Sequence, residues 1–125
     1  SAPTLAHGQR PETTGFYIME TPTDHWVETL TGLGATGIEM VLVHTGERPV
    51  QGHPLVAVLQ VASKESVASG YGEDLDLVLT GDAGGWSEQA LDLLIATAGR
   101  QHVPKVVEQR NIDFQLTRGL LGVST

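Results

Sequence analysis

Residues 38–54 read IEMVLVHTGERPVQGHP, and this stretch decides the fold. Residues 38–43 are almost continuously apolar, which predicts a strand buried on both faces, as in a parallel sheet. The chain then enters a polar loop, residues 45–54, that is rich in glycine and proline. An apolar strand that ends at a polar loop is a common way for an α/β scaffold to present a binding site. This loop is therefore the first candidate for a ligand site.

The composition limits the class of protein. The chain has 125 residues, of which 40% are hydrophobic, and this is enough for one domain around one core. Its formal net charge of −8 makes binding to nucleic acid or to an anionic membrane surface unfavourable. There are no cysteines, which excludes disulfides, thiol catalysis and thiolate metal sites. The apolar runs are too short to span a bilayer, and we expect a cytoplasmic protein.

The N-terminal part divides into an arm and the start of a domain. Residues 1–14 lack hydrophobic periodicity and contain two prolines, which predicts a linker or irregular arm. They also lack the apolar segment of a signal peptide and begin without methionine, so we expect a piece of a longer chain. Residues 15–125 are expected to form a single α/β domain. Residues 15–20, GFYIME, predict its first strand, and Thr23 or Asp24 is expected to cap the helix that follows.

Residues 32–37 spell GLGATG, which has the glycine spacing of a dinucleotide-binding fingerprint. That fingerprint must follow a strand and open a helix, because the phosphate binds at the helix N-terminus. Here a helical pattern precedes the glycines, and the strand at residues 38–43 follows them. We therefore interpret these glycines as the end of a helix and its turn, which argues against a nucleotide site.

Two further strands are predicted after the loop. Residues 55–62 are apolar except for Gln60, and residues 75–79 are apolar between acidic ends. The acidic residues at those ends are Glu73, Asp74, Asp76 and Asp82. Such carboxylates could bind a hard cation such as Mg²⁺. Their spacing fits no EF-hand loop, however, and acidic strand ends are usually solvated, so the sequence leaves both interpretations open.

The clearest helical pattern begins near Ser87, which is a plausible N-cap. It predicts an amphipathic helix whose apolar stripe consists of Ala90, Leu91, Leu94, Ile95 and Ala98. Residues 63–70 and 103–110 are ambiguous between helix and loop. Residues 112–116 alternate between apolar and polar side chains, which predicts a last, half-buried strand. Residues 120–123 form an apolar tail that we expect to pack on another surface of the chain or on a partner.

These elements together predict the fold class. We expect a three-layer α/β domain with a mostly parallel sheet of four or five strands flanked by helices, in a Rossmann-like order. A strand, helix, strand order in such a sheet implies a right-handed crossover. No internal repeat is visible, so a solenoid or propeller is not expected.

The candidate substrate-binding residues all lie in the loop at residues 45–54, and they are Thr45, Gly46, Arg48, Gly52 and His53. Arg48 could form a forked contact with a carboxylate, Thr45 and Gly46 could offer backbone N–H groups, and a histidine could act as an acid or base. A solvated loop without a site is an equally good interpretation. No catalytic residue and no metal ligand can be assigned, because no complete constellation is present and no GxSxG segment supports a serine nucleophile.

From about Gly15 onward, the chain resembles the C-terminal domain of the altronate and galactarate dehydratase family of sugar-acid dehydratases. The segments GFYIMETP and ETLTGLGATGIEMVLVHTG are similar to the family's opening strand and to the helix, turn and strand that lead to its Thr-Gly. The segment Asp74-Leu75-Asp76 resembles the family's Asp-Ile-Asp, and residues 114–123 resemble its closing strand and Gly-Val ending. The similar segments occur in the family's order over most of the chain.

The chain also departs from the family pattern at two places. Where many members read Thr-Gly-Arg-Gly, this chain continues from Gly46 with Glu47 and then Arg48, so the arginine is displaced by one position. A polar residue that follows the family's Asp-Ile-Asp is replaced by Val78 or Leu79. If these positions assist catalysis in the family, the substrate specificity or activity of this member is altered.

The resemblance implies a hydro-lyase that converts an aldonic or aldaric acid to a 2-keto-3-deoxy acid, with Fe²⁺ or a similar divalent metal in the full enzyme. It also implies further dehydratase domains that hold much of the active site, and a sugar-acid substrate. Nothing in these 125 residues forms a convincing metal cage. Two alternatives remain open. One is a non-catalytic dimerisation or scaffolding module, for which the apolar tail at residues 120–123 suggests a homodimer, and the other is an unrelated small-molecule-binding domain.

Overall fold

The computed structural model describes residues 2–110. A small parallel sheet pairs β1 (Thr4–Leu5) with β2 (Ile18–Met19). The main parallel sheet consists, in spatial order, of β3 (Met40–His44), β4 (Ala57–Ala62) and β5 (Leu77–Val78). The α-helices of the described part are α1 (Trp26–Ala35), α2 (Glu65–Tyr71), α3 (Trp86–Ala98) and α4 (Lys105–Glu108). Short 3₁₀ turns lie at Gly72–Asp74 and Ala83–Gly85.

The prediction of an α/β fold with a parallel sheet is confirmed. Within residues 2–110 the main sheet has three strands, where four or five were predicted. The strand predicted at residues 15–20 is shortened to β2 and pairs with β1, which lies inside the predicted arm. The predicted strand at residues 112–116 and the apolar tail at 120–123 lie outside the described residues. Among the helices of the described part, none is long and apolar enough to cross a membrane.

Both faces of the main sheet are covered, which gives the domain three layers. On one face, Leu30 of α1 and Val106 of α4 belong to the same core cluster as Val58 of β4. On the other face, Leu93 of α3 packs in a cluster with Leu59 of β4. Val58 and Leu59 are each 0% exposed, so β4 is the buried centre of the sheet, as its apolar sequence predicts. Each fully buried aliphatic side chain of this kind contributes about 1.5–3 kcal/mol to stability.

Gln60, the polar residue within β4, fixes the path of the loop at residues 45–56. Its side chain is buried, its Oε1 accepts a hydrogen bond from Val50 N at 2.6 Å, and its Nε2 donates to Val50 O at 3.0 Å. The Trp26 indole Nε1 of α1 donates to Gln51 O at 2.9 Å. These bonds hold the loop against the sheet and α1, so it is more ordered than its glycine and proline content suggests.

The caps predicted for α1 and α3 are not used. Neither Thr23 nor Asp24 is the N-cap of α1, which is His25 without any capping side chain. Thr23 Oγ1 instead accepts a hydrogen bond from His25 N at 3.0 Å, just ahead of the helix. Helix α3 begins after Gly85, so Ser87 lies inside its first turn. A 3₁₀ turn leads directly into α3 and replaces the side-chain cap that the sequence predicts.

The glycines of the GLGATG segment serve helix packing as well as a turn. Because α1 continues to Ala35, Gly32 and Gly34 lie inside the helix and not at its end. A Cβ atom at Gly32 would lie 2.6 Å from both Nδ1 and Nε2 of His7, so this glycine allows the N-terminal arm to pack directly on α1. Gly37, with φ +99°, makes the turn after the helix. The interpretation as a helix end is therefore correct only for Gly37.

Helix α3 contacts the sheet through a different face from the predicted stripe. Leu93 is 9% exposed and packs on the sheet, whereas Leu91 is 54% and Ile95 61% exposed. Leu94 lies at the side of the helix and is partly buried against the same cluster. The helix is thus apolar on two faces, and periodicity alone could not tell which face the core would take.

Asp76 joins the main sheet to the segment before α4. Its side chain is 0% exposed. Its Oδ2 accepts a hydrogen bond from Gln60 N at 2.7 Å, and its Oδ1 accepts from His102 Nε2 and Lys105 N, each at 2.8 Å. The expectation that acidic strand ends are solvated is therefore wrong for Asp76. A buried carboxylate is stable here because each of its oxygens has an N–H donor.

Candidate functional site

The three strands of the main sheet end at a common edge, where the segments after β3, β4 and β5 meet. His44 ends β3, and its Nε2 lies 3.0 Å from Oγ of Ser63, which follows β4. The His44 ring centroid lies 6.4 Å from that of Trp86, the first residue of α3. The Trp86 indole donates to Gly81 O, after β5, at 3.2 Å. We call His44, Ser63 and Trp86 the edge cluster, since they connect all three strand ends around an imidazole and a hydroxyl.

Thr45 and Gly46, two of the predicted substrate-binding residues, lie at this same edge. Thr45 N extends the β3–β4 pairing by donating to Val61 O at 2.7 Å, and the residue is only 4% exposed. Within residues 2–110, its Oγ1 is buried without a hydrogen-bond partner. Gly46 is exposed, and a Cβ atom there would meet nothing within 4 Å. The strand end is therefore rigid at Thr45, and the open loop begins at Gly46.

Arg48, the predicted carboxylate ligand, lies on the wall of a cleft of about 240 Å³. We call this the Arg48 cleft, and its lining residues are Arg48, Pro49, Gln60, Tyr71, Asp74 and Gln109. Gln109 Nε2 donates to Asp74 Oδ1 at 2.8 Å and also reaches Glu73 O at 3.4 Å. Arg48 is exposed and forms no ion pair with any other described residue. The cleft thus offers an unpaired guanidinium beside carboxylate and amide oxygens.

Gly52 and His53 lie at the opposite end of β4 from Thr45. His53 is 2% exposed and forms a bridge with Val56, immediately before β4 begins, whereas Thr45 pairs with Val61 near its end. Val56 and Val61 are five residues apart along the strand, which is about 16 Å. The structure therefore groups Thr45 with Gly46 at one edge and buries His53 with Gly52 at the other. The predicted substrate-binding residues do not form one cluster.

The hydrogen bonds of His53 define its tautomer. Nδ1 accepts a hydrogen bond from Leu55 N at 3.1 Å, so this nitrogen carries no proton. Nε2 lies 2.8 Å from Thr31 Oγ1, and the Thr31 hydroxyl itself donates to Val27 O at 2.9 Å. Nε2 is therefore the N–H donor to Thr31. This buried imidazole connects the loop to α1.

The described residues do not provide a metal centre. Within residues 2–110, no group of three or more histidine or acidic side chains is arranged to hold a metal ion. Asp76 is occupied by N–H donors, and Asp74 is held by Gln109. The divalent metal implied by the family resemblance does not fit the side chains of this region.

Several residues of these two sites were not identified from the sequence. Ser63 directly follows an apolar strand and Trp86 starts a helix, so both could have been placed at the sheet edge by topology alone. Tyr71 and Gln109 carry no such signal, because their position in the Arg48 cleft depends on how α2 and α4 pack. Asp74 lies in the segment that resembles the family's Asp-Ile-Asp, and only the structure separates its half-buried position in the cleft from the buried side chain of Asp76.

Comparison with known proteins identifies the family. A search of curated proteins finds no match to this chain. The family model described as D-galactarate/altronate dehydratase, C-terminal, matches residues 3–116, which is most of the chain. That range includes β1, both sheets, the edge cluster and every residue of the Arg48 cleft. The chain therefore belongs to the D-galactarate/altronate dehydratase C-terminal domain family.

Proposed function

We propose that this domain forms one wall of the substrate-binding site of a sugar-acid hydro-lyase. The enzyme would convert an aldonic or aldaric acid of the altronate and galactarate class to a 2-keto-3-deoxy acid. The observation that carries the proposal is the unpaired Arg48 guanidinium in a cleft lined with hydrogen-bond acceptors, in a chain that belongs to this dehydratase family. The remaining dehydratase domains would supply the other walls of the site.

The chemistry of the Arg48 cleft suits a polyhydroxy acid. Such a substrate carries at least one carboxylate and several neighbouring hydroxyl groups. A guanidinium binds a carboxylate through two parallel N–H donors, which fixes orientation as well as charge. The second oxygen of Asp74 and the amide oxygen of Gln109 can accept hydrogen bonds from hydroxyl groups. Tyr71 adds an apolar ring face and a phenolic hydroxyl at the rim.

The position of Arg48 also suits the charge change of the reaction. Removal of the proton α to the carboxylate produces an enediolate, the β-hydroxyl then leaves as water, and the resulting enol becomes the keto acid. Negative charge therefore increases on the carboxylate end before the hydroxyl departs. A fixed cation at that end stabilises the developing charge more than it stabilises the substrate. The local positive charge of Arg48 is needed because the chain has a net charge of −8, and its overall electrostatic potential repels an anionic substrate.

The proposal is tested by turnover in the enzyme that contains this domain together with its partner domains. Arg48→Met removes the cation and keeps much of the side-chain volume. Losing a charge-assisted contact of about 1.5–3 kcal/mol lowers kcat/KM for galactarate or altronate by roughly 10- to 100-fold. Arg48→Lys should retain part of the activity, since it keeps the charge but not the fork.

The matched control is Arg10→Met, which removes an exposed arginine whose side chain lies beside Gly37 and outside the cleft. We expect this variant to keep the parent kcat/KM. Parent-like turnover of Arg48→Met would contradict the role of the cleft. Absence of keto-acid product from every aldonic and aldaric acid, with the parent enzyme, would contradict the proposed reaction itself.

A further inference from the structure

The Arg48 cleft has a positive and a negative side chain on separate parts of its wall. Arg48 and Asp74 both line it, yet they form no ion pair with each other. The Asp74 carboxylate is instead held by Gln109, whose Nε2 donates to Oδ1 at 2.8 Å, so Oδ2 remains an available acceptor. Among the described residues that line the cleft, Arg48 is the only cation. One ligand can therefore contact the guanidinium at one end and the carboxylate at the other.

The size of the cleft limits such a ligand to a small molecule. Its volume is about 240 Å³, which is below the roughly 300–1,000 Å³ of sites that hold drug-sized ligands. A six-carbon sugar acid is smaller than those ligands and has a polar group at each end. Once its carboxylate is bound by Arg48, we expect the group at its far end to lie beside Asp74.

We propose that Asp74 makes the Arg48 cleft selective for aldonic acids, which carry one carboxylate, over aldaric acids, which carry one at each end. This inference rests on the proposed function and specifies the substrate class of the same site. The far end of an aldonic acid is a primary alcohol, whose hydroxyl donates a hydrogen bond to Oδ2 of Asp74. An aldaric acid places a second carboxylate there, which has no proton to donate and repels the Asp74 charge.

The charges next to the cleft act in the same direction. Glu73, Lys105 and Glu108 line a neighbouring cleft that shares a lining residue with the Arg48 cleft. Lys105 is paired there, since its Nζ lies 3.4 Å from Oε2 of Glu108. Of the described residues that line the two clefts, Arg48 is thus the one cation without an acidic partner. The Asp74 side has an excess of negative charge and offers no free cation to a second carboxylate.

The expected discrimination is moderate. Asp74 is only partly buried, so water and salt screen some of the repulsion between the two carboxylates. We therefore expect an aldonic acid to bind about tenfold more tightly than the matching aldaric acid. The aldaric acid still binds through Arg48, but more weakly. Selectivity of this kind comes from a repulsive group placed against the competing ligand, in addition to the attraction that both ligands share.

Titration of the 125-residue chain with galactonate and with galactarate, followed by amide chemical shifts, tests the proposal. These acids share one configuration and differ at one end, where galactonate has an alcohol and galactarate a second carboxylate. The parent should bind galactonate about tenfold more tightly. Asp74→Asn keeps an acceptor for Gln109 and places an NH₂ donor at the position of Oδ2, so it should bind galactarate at least as tightly as galactonate. The control Asp82→Asn removes the same charge at an exposed position outside both clefts and should keep the parent's preference.

The results separate this inference from the proposed function. If the parent binds both acids equally and Arg48→Met weakens both, the selectivity is refuted and the carboxylate site remains. An Asp74→Asn variant that keeps the parent's preference, with a parent-like circular dichroism spectrum, would likewise overturn the role of Asp74 alone. If neither acid binds, or if Arg48→Met leaves both dissociation constants unchanged, the proposed function and this inference are contradicted together.

Discussion

Replacing Asp76 by asparagine should destabilise the domain strongly without changing the size of the side chain. The carboxylate is 0% exposed and accepts three hydrogen bonds, from Gln60 N, His102 Nε2 and Lys105 N. An asparagine can place its oxygen where Oδ1 now lies and so keep the bonds from His102 and Lys105. Its NH₂ group then takes the place of Oδ2, which accepts a hydrogen bond from Gln60 N at 2.7 Å. Two N–H donors would therefore face each other.

The cost follows from the bonds that are changed. One hydrogen bond to a charged acceptor is lost, which is worth about 1.5–3 kcal/mol. The two bonds that remain become weaker because their acceptor is now neutral. A total of about 2–4 kcal/mol is a large part of the 5–15 kcal/mol that stabilises a typical domain. At about 4 °C per kcal/mol for a chain of this size, the melting temperature should fall by roughly 8–16 °C.

Thermal unfolding followed by circular dichroism measures this difference directly. The matched control is Asp82→Asn, the same chemical change at an exposed position whose side chain forms no capping hydrogen bond to the 3₁₀ turn that follows it. We expect Asp82→Asn to change the melting temperature by less than about 2 °C. An Asp76→Asn variant whose melting temperature also changes by less than about 2 °C would refute the claim that the hydrogen bonds of Asp76 stabilise the domain.

Two further substitutions test the contacts that hold the arm and the loop. Gly32→Ala should displace the N-terminal arm, because the added Cβ would lie 2.6 Å from the His7 ring nitrogens. Amide hydrogen exchange in the arm should then be faster than in the parent. The additional change His7→Ala should restore the parent's protection from exchange. Gln60→Met should leave Val50 N and O unpaired and lower the free energy of unfolding, measured in urea, by about 2–4 kcal/mol. A variant as stable as the parent would contradict the role of Gln60 in holding the loop.

The main sheet could be predicted from the sequence because its signal is strong and local. The apolar runs that became β3 and β4 were recognised, and each ends or begins within two residues of the predicted bounds. The face that α3 buries could not be predicted, since apolar residues occupy two sides of the helix and Leu93 packs on the sheet where Leu91 and Ile95 were expected. A hydrophobic pattern gives a helix its period, and only packing selects between two apolar faces.

The candidate site was predictable only in part, for a similar reason. The loop at residues 45–54 does follow a strand and carries Arg48 to the wall of a cleft. The prediction that this strand is buried on both faces is wrong, because β3 lies at the edge of the sheet and Leu42 is 40% exposed. Sequence proximity suggested that Arg48 and His53 would act together. The loop instead returns to the end of the sheet where β4 begins. There His53 is buried and is hydrogen-bonded to Thr31. Likewise, the burial of Asp76 depends on His102, which precedes α4, and on Lys105, which begins it, because both donate to Oδ1 from about thirty residues further along the chain.

The most direct test of the account is a titration of the isotopically labelled chain with galactarate, followed by amide chemical shifts. We predict shift changes centred on the Arg48 cleft, at Arg48, Tyr71, Asp74 and Gln109, that are lost in Arg48→Met and retained in Arg10→Met. Galactitol, which has the hydroxyl groups but no carboxylate, should cause no comparable change. Shift changes that persist in Arg48→Met, or that occur equally with galactitol, would contradict the claim that this cleft binds the carboxylate of a sugar acid.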